Sequence, residues 1–393
     1  MRDSFVLSSP STFCKMTKTT TKQLLWLDLL RGIAALIVLM GHLRSVLFQD
    51  YENIQNPNAI AKAFYFITGF GHQAVILFFV LSGFFIIKSI HDSHAKNNWS
   101  WKQYLLNRLS RLWMVLIPGL ILGAFWDQLG LHLNPQFDIY TGAIEHLIYF
   151  NPQGHLGLGV FLGNLFFLQT IFFPTYGTNG ALWSLSNEFW YYIIFPCLYI
   201  AYQVRTAISR KIIFFFIGTL LLSAFQYFSM DVATHPRDYF FIWMFGGLSL
   251  FLSRQPLNLF KMPVTSLILA GMLIGMLIGM RIQLLPLVFN DWGLGVITLL
   301  LVCGLSQIEM RPLWLQKMSS FLSNISYTLY IVHLPFVVFI SSQMASQRLD
   351  FSTTNLIKYL GIFFVAILYA YSVYYLFERN TNSVKSYIQK FIK

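Results

Sequence analysis

Residues 24–44 read LLWLDLLRGIAALIVLMGHLR. At 1.5 Å per residue, a helix of this length covers the ~30 Å of a bilayer's hydrocarbon core. The run is apolar except for Asp28, Arg31 and His42, with Arg44 at its end. It therefore predicts a membrane span that carries a few polar groups to depth. Comparable apolar runs follow at 64–87, 109–127, 186–204, 212–229, 238–252, 264–280, 292–307, 319–342 and 356–377. The run 238–252 is short enough to be tilted or partly re-entrant. The fold class that follows is all-α, a polytopic transmembrane helix bundle of about ten spans.

Composition agrees. Of 393 residues, 56% are hydrophobic and 11% charged, against ~25% charged in soluble chains. The net charge of +12 is no signal for nucleic acid, because the basic residues sit in short clusters between apolar runs. Such clusters determine topology. With ten spans, one side collects twenty Lys and Arg, among them Lys88, Arg108, Arg111, Arg254, Lys317 and Lys385. The other side holds six: Arg44, Lys62, Arg237, Arg281, Arg348 and Lys358. The basic side faces the cytoplasm, which puts both termini there and the protein in the cytoplasmic (inner) membrane, multi-pass, among lipids.

No cleavable signal is visible in the polar leader 1–23, so the first span serves for targeting. Met16 offers a second start. The membrane domain runs over 24–378 and a cytoplasmic tail over 379–393. The long outer loop 128–185 has no Lys or Arg, and its apolar stretch Val160–Phe173 reads as a re-entrant or interfacial helix. Cys14, Cys197 and Cys303 lie far apart, and no metal-ligand spacing is present.

Ionisable groups at membrane depth are costly and tend to face a cavity or partner. Arg31 and His42 differ by eleven residues, within ~20° of three full turns, so they share a face about 17 Å apart along the axis. Asp28 neighbours Arg31 at i,i+3. An interfacial ion pair plus a headgroup histidine explains each residue singly; a ligand lying along the helix explains all three. Ser82 and Gly83 in FFVLSGFF permit close helix packing. His72 stands at the outer end of its span, and Arg108 and Arg111 stand one turn apart at an inner mouth. The arginines serve as topology anchors or as a forked phosphate clamp. Glu188 lies in ALWSLSNEFW near the outer face, and His333 in SYTLYIVHLPF near mid-membrane. An interfacial pair accounts for Glu378 and Arg379.

These segments, taken together, resemble the acyltransferase-3 family of membrane proteins. Arg31 and His42 match its Arg-x10-His pattern, Phe78–Phe84 its LSGF block, and Arg108 with Arg111 its RxxR element. Trp183–Trp190 and Ser326–Pro335 match its later blocks. The resemblance spans roughly 24–378. Ile76 stands where many relatives carry a polar residue, and Asn187–Glu188 where a glutamate pair is usual. A fused C-terminal hydrolase-like domain is not expected here.

The resemblance implies an O-acyltransferase using acyl-coenzyme A, most readily acetyl-coenzyme A, as co-substrate and no bound cofactor or metal. The acceptor would be a hydroxyl of a surface glycan or lipid-linked sugar, reached directly or through a separate extracytoplasmic acyl-transfer protein. His42 is then the candidate base, oriented by Glu188 or with Glu188 holding the acceptor. Arg31, Arg108, Arg111 and Ser82 would hold the coenzyme, while Asp28, His72 and His333 would line the path. A covalent acyl-enzyme, a small-molecule acceptor such as a macrolide, and a flippase for acylated glycans stay open.

Overall fold

In a computed structural model, residues 24–144, 152–202, 207–229, 236–255, 260, 262–284 and 287–392 are described. The leader 1–23 and Cys14 lie outside that set. Among described residues the chain is helical, and its only extended pairings are isolated bridges, Phe48 with Leu349 and Gln169 with Phe173. The elements are α1 (Leu25–Leu47), α2 (Ala59–Ile67), α3 (Gly71–Ala95), α4 (Trp101–Leu133), α5 (Asp138–Thr141), α6 (Leu158–Leu165) and α7 (Leu182–Tyr202). They continue with α8 (Ile208–Phe228), α9 (Pro236–Ser253), α10 (Pro263–Arg281), α11 (Leu287–Leu305), α12 (Leu313–Ser342), α13 (Thr353–Leu376) and α14 (Thr381–Ile392).

Within the described residues, each of the ten apolar runs coincides with helix, the run 64–87 being divided between α2 and α3. Seven helical segments among the described residues are long and apolar enough to cross a membrane by length and composition. α7, α9 and α11 are not among them. α7 opens on Ser184, Ser186, Asn187 and Glu188, and α9 on Arg237 and Asp238, which lower their mean hydropathy. The chain is thus an all-helical, multi-pass membrane protein.

α12 and α3 form the centre. α12 packs on α1, α4 and α13, while α3 packs on α1, α9 and α11. α8, α10 and α13 turn Phe216, Leu267, Ile274, Leu360 and Leu368 outward, as lipid-facing helices do. Where α3 crosses α9, Gly83 and Gly246 lie against the opposite backbone, at Trp243 and Val80 respectively. Any side chain there would force the helices apart.

Two helix-interior prolines explain how the centre is pinned. A proline cannot bond the carbonyl four residues back. Pro335 in α12 therefore frees the carbonyl of Ile331, which accepts from Asn179 Nδ2 at 2.8 Å. Pro196 in α7 likewise frees the carbonyl of Tyr192, which accepts from the Tyr104 hydroxyl at 2.9 Å.

The stretch Val160–Phe173 does not make one helix. α6 ends at Leu165, and Phe167 and Thr170 adopt left-handed backbone, φ 59° and 65°. The segment that follows is irregular yet buried through Tyr176, Thr178, Asn179 and Ala181. Irregular backbone at depth needs internal partners. The Asp127 carboxylate of α4, itself fully buried, supplies two, accepting from the Thr178 hydroxyl at 2.7 Å and its amide at 2.8 Å.

Candidate active site

Because the segment before it is buried, α7 starts inside the protein, and Glu188 lies roughly 9 Å further along the helix. The expected outer-face position beside His42 is corrected accordingly. Glu188 accepts from Ser82 through a short hydrogen bond and from Tyr192 at 2.5 Å. Trp243 Nε1 donates to Ser82 at 3.2 Å. Glu188 and Ser82 line a narrow, mostly apolar cavity of about 120 Å³ together with Arg31, Arg108, Arg111 and Tyr330. Glu188 thus belongs with the arginines rather than with the histidine.

A second, polar cavity of about 490 Å³ abuts the first and shares Arg31, Arg108 and Arg111 with it. Its remaining wall includes Ser323, Glu378, Arg379 and Lys385. The three arginines thus form a collar between a polar vestibule and an apolar channel. α1 supplies Arg31, and one turn of α4 supplies the other two. Asp28 holds the Arg31 guanidinium at 2.9 Å; Arg31 also donates to Ser323, which in turn donates to Asp28 at 3.0 Å. Arg108 donates to Ser89 at 3.3 Å. The Nε–H groups of Arg31 and Arg108 are buried without a hydrogen-bond partner among the described residues. The guanidinium groups themselves line both cavities, where an anion would pair with them.

His42 lies outside the lining of both cavities, and its Nδ1 is 2.7 Å from His333 Nε2. The rings are within 10° of parallel with centroids 5.0 Å apart, which is an in-line, edge-to-edge bond rather than a face-to-face stack. The proton positions follow from the partners. His333 Nδ1 is 2.7 Å from the Leu329 carbonyl, which can only accept. His333 Nδ1 therefore carries the proton and its Nε2 is the acceptor. His42 Nδ1 must then donate, and the basic lone pair of His42 sits on Nε2. Tyr330 joins the channel to this pair. It lines the cavity, stands edge-on to His333 at 6.3 Å between ring centroids, and shares a 2.6 Å hydrogen bond with Ser184.

His72 is placed elsewhere. It is half exposed and pairs with Asp291 at 2.9 Å, away from the lining of either cavity. Glu378, by contrast, is drawn into the vestibule, where Thr328 donates to it at 2.5 Å. Its place after Phe377 at a helix end gave no sign of this, nor did the sequence single out Ser323, Tyr192 or Asp127.

A family model described as an acyltransferase domain, that of acyltransferase-3, matches residues 24–375. The chain belongs to the acyltransferase-3 family. An uncharacterized protein of Haemophilus influenzae is 31% identical over 173 residues, which is 42% of this chain and 66% of that protein. The match thus spans just under two thirds of that relative's length. No solved structure matches. The arginine collar and the histidine pair both lie within the residues matched by the family model.

Proposed function

We propose that the protein is an O-acyltransferase moving an acyl group, acetyl first among them, from cytoplasmic acyl-coenzyme A to a hydroxyl of a cell-surface glycan or lipid-linked sugar. The reading includes ten crossings of the cytoplasmic membrane, with both termini inside. The observation that carries it is the collar: three arginines standing where a polar vestibule meets an apolar channel. That arrangement suits a molecule with phosphates at one end and a thin uncharged arm at the other. Arg31, Arg108 and Arg111 hold the phosphates, and the pantetheine arm passes Glu188 toward Tyr330.

The chemistry falls to His42. Its Nε2 takes the proton of the acceptor hydroxyl as the oxygen attacks the thioester carbonyl. The C–S bond then breaks, and the imidazolium returns the proton to the coenzyme thiolate. His333 steadies the imidazolium through the Nδ1–H bond. The alternative of a flippase gives the collar no task, since moving an acylated glycan needs no thioester.

The test is made in sealed vesicles of known orientation. Labelled acetyl-coenzyme A on the cytoplasmic face should label a glycan acceptor enclosed on the opposite face. Transport of preformed acetylated glycan without thioester cleavage would sink the enzyme reading. Labelling only when donor and acceptor share one face would sink the through-membrane route.

A further inference from the structure

A third cavity, about 890 Å³, lies at the His42 end of α1 and takes no part in the chemistry above. Arg44, Lys62 and Arg281 line it, with the rings of Tyr51, Tyr65 and Phe66. On the charge-poor side of the protein there are only six basic residues, and three of them converge here. Topology does not explain this, because basic residues disfavour that side of a membrane.

The wall is basic on balance, with three cations against two carboxylates. Of the two carboxylates on the wall, Asp50 is held by both guanidinium nitrogens of Arg348, at 3.2 and 2.7 Å, leaving Glu52, which is exposed. Arg44 lies over the Tyr65 ring at 5.4 Å, and its Nε–H is buried without a hydrogen-bond partner among the described residues. Arg281 donates to the Tyr65 carbonyl at 3.3 Å, and a Cβ on Gly69 would come within 2.9 Å of its guanidinium carbon. Gly69 therefore leaves room for the fork to stay. Two guanidinium forks and an ammonium, with the accessible rings of Tyr51 and Phe66, make a surface for a ring-shaped anion, while Tyr65 is buried beneath Arg44 and backs the wall.

We propose that this cavity binds a saccharide bearing a carboxylate or phosphate, and that the acceptor of the transfer is such an anionic sugar. Arg44 is two residues beyond His42, only about 3 Å further along the helix axis. The two side chains leave α1 about 200° apart, Arg44 toward Tyr65 and His42 toward His333, so a sugar anchored at Arg44 reaches the reacting end by extending around the helix. The inference rests on the reading above only in taking this end as the acceptor side.

The experiment measures binding without donor, so its outcome is separate from that of the vesicle assay. Purified protein in nanodiscs of neutral lipid is titrated calorimetrically with digalacturonate, glucose 1-phosphate and neutral maltose. At least one anion should bind roughly tenfold or more tightly than maltose, and which one does identifies the charged group. Arg44→Gln and Arg281→Gln should each erase most of that difference while leaving the weak maltose binding alone. Arg281 is exposed at the end of α10, so its variant serves if Arg44→Gln does not fold. Equal binding of all three sugars, or unchanged binding in both variants, overturns the proposal. So does retention of phosphatidylglycerol by wild type but not Arg44→Gln in native mass spectrometry, with no sugar bound, which would make the cavity a lipid site.

Discussion

At the scale of single residues, the proton chain is the most constrained feature. The Leu329 carbonyl fixes His333, and His333 fixes His42, so removing either histidine has a distinct consequence. His42→Ala should lower kcat by ~10²- to 10⁴-fold, the usual worth of a general base, with membrane insertion intact. Near-wild-type turnover by the folded variant would reject the assignment. His333→Ala leaves the base present but removes the acceptor that orients it. Losing one hydrogen bond to an imidazolium predicts a ~10- to 100-fold fall in kcat with the donor KM nearly constant. A rate unchanged from wild type would reduce His333 to a packing residue. The i,i+11 spacing placed Arg31 and His42 on one face, but nothing in the sequence paired His42 with His333, 291 residues away.

At the scale of elements, α4 and α14 are the informative pieces. α4 presents Arg108 and Arg111 to the collar at one end and Asp127 to the buried segment at the other. Asp127→Ala strands the Thr178 amide and hydroxyl, at about 1–3 kcal/mol each. A lower Tm in detergent is expected, with a smaller loss for Asp127→Asn, which keeps an acceptor. Equal melting of all three proteins would show that the latch contributes nothing. The segment 379–393 reads as a mere tail in the sequence, yet Arg379 just before α14 and Lys385 within it line the vestibule. Replacing Arg108 and Arg111 with Gln should raise the KM for acetyl-coenzyme A much more than that for the acceptor. Lys385→Gln should do the same more weakly and spare acetyl-pantetheine, which lacks the nucleotide. An unchanged donor KM in every variant would leave these residues as topology anchors.

At the scale of the whole molecule, the proposed function requires the two ends of the bundle to face different compartments. In the ten-span reading, the vestibule belongs to the end rich in Lys and Arg, and the proposed anion cavity to the end poor in them. Reporter fusions should therefore place Lys385 in the cytoplasm and Asp138 outside it. Both reporters on one side would break the ten-crossing topology and, with it, the route from collar to histidine. α7 is the proposed crossing where this matters most, because its polar start lies inside the protein and lowers its hydropathy.

The sequence by itself determined the helical membrane class, the places of the long helices, the charge asymmetry, and the family through five short blocks. These are local properties: apolar length, periodicity and residue spacing act within one helix or loop. What the tertiary structure decided is which residues meet. Glu188 moved from the histidine to the arginines because the buried segment carries the start of α7 inward. Glu378 joined the vestibule because α13 ends beside α12, where Thr328 donates to it. Three sparse basic residues became one cavity because α2 wedges between the ends of α1 and α10. Each is a contact between segments far apart in sequence, and helix packing rather than helix propensity sets such contacts.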